Sequence, residues 1–313
     1  MAQGDVGAQL LLHEGAVLAN LANHVHGALR RAASSAGPPQ CQALANITWS
    51  HATMGFVDLS LCQLIADIAV RSMAGFKPFE LSTILWAFAK LGTYDPAAWD
   101  VGSELFELGA CRVASSPEDF HFRCLVMTAW AFATAGHHDP DLFHGIAPRM
   151  TSLAHGGSSR ELTTALWAFT AANVRDERLF LEITRRVSQR LEDLTQEEFK
   201  SMLRSLASVG FAPKAFMEHV VKVSECMDVE VQRVARALLV LAVPMGEAAE
   251  QHERKGRSHA GSTCSSGGST RAARSHAGSG SSVGSASEMS VEIEMSAEIE
   301  EQSGTSRRRQ RRR

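Results

Sequence analysis

Arginine is the residue type in this chain best suited to bind an anion, and five arginines lie within residues 175–190. The planar guanidinium group binds phosphate oxygens in a fixed geometry, so this segment is a candidate phosphate-contacting surface. Its members are Arg175, Arg178, Arg185, Arg186 and Arg190. Acidic residues alternate with them, so an ordinary surface of ion pairs is an equally good interpretation. The acidic residues are Asp176, Glu177, Glu182 and Glu192.

Other reactive side chains are too sparse to predict catalysis. His137 and His138 precede Asp139, but a zinc site needs further converging ligands, so we interpret both histidines as turn residues. The six cysteines show no C-x-x-C spacing. We identify no nucleophile–base pair and no Gly-rich phosphate loop with a lysine. We therefore predict that the protein is not an enzyme and that it uses no metal and no cofactor.

A tryptophan repeat predicts the elements that position these residues. The repeat consists of Trp49, Trp86, Trp130 and Trp167, which are separated by 37, 44 and 37 residues. A similar segment follows after another 37 residues, with Arg204 in place of the tryptophan. Three of the segments are LSTILWAFAKLG (81–92), LVMTAWAFATAG (125–136) and LTTALWAFTAAN (162–173). Their apolar residues recur at helical spacing, so each segment predicts a helix. The final Gly or Asn, and Gly55 at the end of the Trp49 segment, predict a left-handed helix end.

A second helix is predicted after each tryptophan helix. Asp95-Pro96 and Asp139-Pro140 each look like an N-cap followed by proline at the first helical position. The seven additional residues in the longer spacing fall near residues 112–119, which predicts a lengthened loop. Proline in a helix interior removes a hydrogen bond, so Pro148 predicts a short or kinked second helix.

Composition divides the chain into a folded region and a tail. The predicted fold class is all-α: an α-solenoid of stacked helix–turn–helix repeats of about 37 residues, followed by a disordered tail. Residues 41–246 form five helical-pair repeats and a terminal helix, and residues 1–40 form degenerate capping helices. Residues 247–313 contain no aromatic residue and cannot offset their chain entropy. This tail holds an acidic–apolar segment that could dock on a partner, at 288–299, and ends in RRRQRRR.

Two columns of mostly polar residues run along one face of the predicted tryptophan helices. They lie three residues before and four residues after each tryptophan, so they are two turns apart on one face. We call these residues the polar ridge. Its candidate RNA-binding members are Asn46, Thr53, Thr83, Lys90, Met127, Thr134, Thr164, Ser201 and Ser208. A fixed frame with a variable polar ridge suits a protein that reads one base per repeat. A solvated face without a ligand is the alternative.

The L-x-T-x-L-W-A-F-A-x-x-G segment, followed by D-P-x-L-F, resembles the heptatricopeptide and octotricopeptide repeats and the related leader region of FAST kinase-like proteins. The resemblance covers roughly residues 41–246. It implies a helix-pair solenoid that binds single-stranded organelle RNA, either a transcript or ribosomal RNA, in its processing or stabilisation. It also implies a mitochondrial or plastid location, and other repeat proteins or a ribonucleoprotein as partners. Many family members end in a RAP domain, and no such segment is recognisable here.

Charge favours a different class of protein. Residues 41–246 carry 18 basic and 23 acidic residues, whereas a nucleic-acid-binding domain is usually basic. A protein–protein interaction scaffold of armadillo or tetratricopeptide character is therefore the alternative function. The N-terminus shows neither a secretory signal nor a clear transit peptide, and no apolar run predicts a membrane span. The Arg-rich end would favour the nucleus instead, if it directs import.

Overall fold

The described residues of the computed structural model, 17–31 and 41–242, are all-helical. They contain twelve α-helices and no β-strand. The helices are α1 (17–31), α2 (Cys41–Met54), α3 (Leu59–Arg71), α4 (Pro78–Tyr94), α5 (Ala97–Ser115), α6 (Phe122–Thr134), α7 (Pro140–Leu153), α8 (Ser159–Ala171), α9 (Glu177–Ser188), α10 (Gln196–Ser208), α11 (Lys214–Ser224) and α12 (Val229–Val240). The predicted tail over 247–313 and most of the predicted capping region over 1–40 lie outside the described residues.

The described residues form two compact units. The first comprises residues 17–31, 41–193 and 204–209, and the second comprises residues 194–203 and 210–242. In the first unit the tryptophan helices α2, α4, α6 and α8 pack side by side in chain order. The second helices α3, α5, α7 and α9 form another layer, and each packs against its own tryptophan helix. This arrangement confirms the predicted solenoid of helix pairs.

Aromatic side chains join the two layers of the first unit. Phe106 of α5 meets Phe132 of α6 edge-on, with ring centroids 5.1 Å apart. Phe143 of α7 meets Phe169 of α8 in the same way at 5.0 Å. All four rings are buried, and full burial of one such side chain stabilises the fold by about 1.5–3 kcal/mol. The apolar face predicted for the tryptophan helices is therefore the core.

Left-handed residues end three tryptophan helices of the first unit, as predicted. Gly55, Gly136 and Asn173 have φ values of 64°, 70° and 56°. Gly92 differs, because α4 continues to Tyr94 and Gly92 lies inside it. The prediction of a left-handed stop at Gly92 is therefore wrong. The indole of Trp99 packs against this glycine so closely that an added Cβ would lie 1.8 Å from its Nε1 atom.

The helix starts follow the predicted capping chemistry at one of the two Asp-Pro pairs. Asp139 is the N-cap of α7 and accepts hydrogen bonds from the backbone of Asp141 and Leu142. Asp95 instead ends α4, and its Oδ1 accepts a hydrogen bond of 3.0 Å from the Ala97 backbone. Pro96 takes the N-cap position of α5, so the expected boundary is displaced by one residue.

The additional residues of the 44-residue spacing lengthen a helix and not a loop. Helix α5 has 19 residues, compared with 13 in α3 and 14 in α7. It continues to Ser115 and is followed by a 3₁₀ turn at Pro117–Asp119. The lengthened-loop prediction is wrong, because Cys111–Ser115 extends the amphipathic pattern of α5. Helix α7 runs through Pro148, so that proline does not shorten it.

The second unit contains the helix pair α11 and α12, which pack together. Asp228 caps α12 by accepting a 2.9 Å hydrogen bond from the Val231 backbone. Lys200 forms ion pairs of 3.0 Å with Asp228 and 3.2 Å with Glu197. The terminal helix predicted within residues 41–246 is present as α12, at Val229–Val240. No helix of the described residues is long and apolar enough to cross a membrane.

Candidate functional site

Three indoles of the tryptophan helices form a ladder across the first unit. The ring centroids of Trp86 and Trp130 are 6.0 Å apart, and those of Trp130 and Trp167 are 6.5 Å apart. Their planes are tilted by 32° and 34°, so the rings make packing contacts and not parallel stacks. Trp86 is 2% exposed, whereas Trp130 and Trp167 are half-buried. The tryptophans thus set the register between neighbouring helices.

The polar ridge is accessible at only some of its predicted positions. In the first unit its half-buried members are Asn46, Thr53, Thr134 and Thr164, and Ser208 is exposed. Ser201, in the second unit, is half-buried.

Three members of the predicted polar ridge are buried. Thr83 is 1% exposed, Met127 is 4% exposed and Lys90 is 5% exposed. The prediction that these three form part of a solvent-facing ridge is wrong. Helices α4 and α6 each have tryptophan helices packed on both sides, and this close packing covers their shared face.

Three ridge hydroxyls, those of Thr53, Thr83 and Ser208, bond to carbonyls of their own helices. Thr53 Oγ1 donates to the Trp49 carbonyl at 2.9 Å, and Thr83 Oγ1 donates to the Phe79 carbonyl at 2.8 Å. Serine and threonine commonly bond back to the preceding turn in this way. Thr134 differs, since its buried Oγ1 has no hydrogen-bond partner among the described residues.

Lys90 combines burial with an aromatic contact. Its ammonium nitrogen lies 5.2 Å from the ring centroid of Tyr94, one turn further along α4. A cation over an aromatic face is attracted by the ring quadrupole. Lys90 therefore supports the end of α4 and is poorly placed to meet a ligand.

The predicted phosphate-contacting arginines are largely engaged within the protein. Arg185 and Arg186 each pair with Glu182, at 2.7 Å. These bonds, above all that of Arg185, hold the pKa of the Glu182 carboxyl below its usual value. Arg175 pairs with Glu177 at 3.0 Å. The ion-pair interpretation of this segment therefore fits the structure better than a free phosphate-binding surface.

The other two arginines of the predicted cluster differ from each other. Arg190 donates a hydrogen bond of 3.2 Å to the Gly157 carbonyl, and Arg178 is exposed. Arg175 to Arg186 lie on or beside α9, in the layer of second helices, whereas the polar ridge lies on the tryptophan helices. The structure thus does not bring the two predicted sets of residues into one site.

Two further arginines share the face of the polar ridge. Arg123 and Arg160 stand seven residues before Trp130 and Trp167, in the first turns of α6 and α8. Seven residues are two helical turns, so each arginine lies on the tryptophan face of its helix. Both are half-buried, and the two helices are packed neighbours. The sequence interpretation missed them, although the seven-residue spacing that defines the ridge also marks these positions.

The histidines expected to be turn residues divide into a packing residue and a surface residue. His137 stacks on Phe106, with ring centroids 4.7 Å apart and planes 19° apart. His138 is exposed. Across residues 17–31 and 41–242, no group of three or more His, Cys, Asp or Glu side chains is arranged to hold a metal ion.

No protein-family model matches the chain, and no curated protein matches it significantly. The structure shows the all-helical repeat fold, and the resemblance to organelle RNA-binding repeats stays a prediction.

Proposed function

We propose that this chain binds single-stranded RNA on the tryptophan-helix face of its first unit and does not catalyse a reaction. One observation carries the proposal: polar side chains of the ridge stay partly accessible on several tryptophan helices. Asn46 and Thr53 of α2 and Thr164 of α8 are half-buried. Repeat proteins that read bases place such contacts on successive units, and we infer the same use here.

Arg123 and Arg160 supply the positive charge that such a face requires. Phosphate contacts give most of the affinity for a nucleic acid, and each contact adds to its salt dependence. The net negative charge of residues 41–246 opposes binding over the whole surface, so these two arginines would confine the strand to the tryptophan-helix face. A site that contacts only a few bases discriminates weakly between RNA sequences. The Arg-rich end at 307–313 would raise the affinity for RNA through local concentration.

The resemblance to organelle repeat proteins narrows the proposed role. We place the chain in the processing or stabilisation of a mitochondrial or plastid RNA, or in the handling of ribosomal RNA. Partners of the same kind, namely other repeat proteins or a ribonucleoprotein, would supply the remaining specificity.

The test is a titration of the purified full chain against a random single-stranded RNA pool, followed by the double substitution Arg123→Gln/Arg160→Gln. Loss of two phosphate contacts should weaken binding about tenfold and reduce the salt slope by roughly 1.4. The matched control is Arg185→Gln/Arg186→Gln, which removes the same charge from α9. No enrichment of any sequence would reject selective binding, and an equal loss in both variants would reject the tryptophan-helix face as the site.

A protein-interaction scaffold is the second candidate function, favoured by the pairing of the α9 arginines with glutamates. Such a scaffold would bind a folded protein or peptide, and its affinity would not change with Arg123→Gln/Arg160→Gln. Purification of complexes from lysate after nuclease treatment separates the two functions, since only an RNA-dependent complex is lost.

A further inference from the structure

The last helix of the described residues, α12, exposes an apolar and basic face. Val229, Val240 and Leu241 are 81%, 84% and 72% exposed, more than any other large apolar residue among those the structure describes. Arg233 and Arg236 lie between the two valines and are also exposed. A terminal helix of a repeat protein usually has a polar outer face, so this composition is unusual.

The two faces of α12 are opposite each other. Val231, Ala235 and Leu238 are buried and follow the spacing of one helical face. Val229, Arg233, Arg236 and Val240 follow the spacing i, i+4, i+7, i+11 on the opposite side. We call these four residues the α12 outer face.

Local hydrogen bonds hold the α12 outer face in place. Gln232 donates through its side-chain amide to the Met227 carbonyl at 3.0 Å, and Asp228 caps the helix. Arg236 donates a long hydrogen bond of 3.4 Å to Gln232. The outer face of this capped helix therefore presents two cations flanked by apolar side chains.

We propose that the α12 outer face docks residues 291–300 of the same chain, VEIEMSAEIE. This segment carries four glutamates to meet the two arginines, and four large apolar side chains to cover the two valines. The glutamates are Glu292, Glu294, Glu298 and Glu300, and the apolar residues are Val291, Ile293, Met295 and Ile299. The complementarity is thus both of charge and of hydrophobicity.

The connecting chain is long enough for this contact. Residues 243–290 number 48 and are rich in Gly and Ser. A chain of that composition spans roughly 35–40 Å on average, and α12 with its 12 residues is only about 18 Å long. Tethering at this length supplies a local concentration on the order of millimolar, which favours the segment of the same chain over that of a second copy.

The proposal concerns the second unit and does not depend on RNA binding. It is tested by amide hydrogen exchange of α12 in the full chain, corrected for intrinsic rates. Charge reversal on the helix (Arg233→Glu/Arg236→Glu) or in the segment (Glu292→Arg/Glu294→Arg) should each accelerate exchange of α12 roughly fivefold. The two reversals together should restore the protection, because the charges are again complementary. The matched control is Arg71→Glu/Arg178→Glu, which makes the same charge change on exposed residues of other helices.

Each outcome decides the proposal. Restoration of protection in the combined variant, at a rate independent of protein concentration, supports docking within one chain. If amide exchange of α12 is unchanged both in the helix variant and in the segment variant, the proposal is overturned. Protection that increases with protein concentration also overturns it, since the occupant would then come from a second copy. The variant Val229→Ser/Val240→Ser leaves the charges intact and should lose protection as well, and no loss there would reject the apolar part of the contact.

Discussion

The indole of Trp99 occupies the space that a side chain on Gly92 would need. A Cβ at position 92 would lie 1.8 Å from Trp99 Nε1, and that nitrogen donates a hydrogen bond of 3.0 Å to the Ala89 carbonyl. The contact joins the first turn of α5 to the last turns of α4. It therefore sets the angle at which the second helix of this repeat returns along the first.

Substitution Gly92→Ala should destabilise the first unit. The methyl group must displace the indole and break its hydrogen bond, so we expect a loss of about 3 kcal/mol, the upper range for overpacking of a core. Denaturant unfolding followed by circular dichroism measures it. Gly156→Ala is the control, because a Cβ there meets nothing within 4 Å, and its effect should stay within about 0.5 kcal/mol. Equal stability of the two variants would contradict the steric argument.

The tryptophan ladder makes Trp130 more important to stability than Trp167. Trp130 contacts the indoles on both sides, whereas Trp167 has a ladder contact only with Trp130. We expect Trp130→Ala to cost about 3 kcal/mol, the low end for a large aromatic, since the ring is half-buried. Trp167→Ala should cost less. Thermal unfolding of the two variants side by side gives the comparison, and a larger loss at Trp167 would refute the ladder as the source of the difference.

The carboxylate of Glu182 should make stability depend on pH. Its pKa is lowered in the folded chain, first by the hydrogen bond from Arg185, so its contribution is complete above the ordinary value of 4.5. That contribution is lost as the pH falls through the folded pKa. Glu182→Gln should therefore cost about 0.5–1 kcal/mol at pH 7 and almost nothing at pH 2.

Urea titrations at the two pH values measure this difference. Glu192→Gln, an exposed glutamate nearby, is the control and should show no comparable dependence. If Glu182→Gln lowers the free energy of unfolding by the same amount at both pH values, the carboxylate charge is not what its arginine partners stabilise.

The cysteines should divide into two classes of reactivity. Burial raises the pKa of the Cys62 and Cys124 thiols to about 11, so both should resist alkylation at pH 8. Cys111 and Cys226 are exposed and should react within minutes. Peptide mass spectrometry after iodoacetamide treatment resolves the sites, and the same treatment in denaturant should label all of them. Rapid labelling of Cys62 or Cys124 in the native chain would disprove their burial.

Periodicity predicted the helices well, because helical spacing of apolar residues reports one buried face directly. The tryptophan helices and their partners follow from it. The left-handed ends at Gly55, Gly136 and Asn173 follow instead from the residue type at each helix end. The prediction at Gly92 is wrong because glycine serves both a left-handed turn and a close contact, and only the position of Trp99 distinguishes the two.

The candidate site was less predictable, because a helical wheel shows the direction of a side chain and not what lies above it. Thr83 and Lys90 lie opposite the apolar face of α4 on a helical wheel and are nevertheless buried, because neighbouring helices pack against that side as well. The pairing of Arg185 and Arg186 with Glu182 follows from i,i+3 and i,i+4 spacing, and the sequence already allowed it as the alternative.

Back-bonding within the helices fixes the hydrogen-bonding polarity of the ridge. A threonine hydroxyl has one proton, and Thr53 uses it on the Trp49 carbonyl. It thus turns only lone pairs outward, so a group that binds there must bring its own proton, as an amino or imino group does. Thr134 Oγ1 has no hydrogen-bond partner among the described residues, but it is buried, so in this rotamer its proton does not reach a group at the surface. The two threonines at equivalent positions of α2 and α6 are therefore chemically unequal, and a change of rotamer at Thr134 would alter which groups the face accepts.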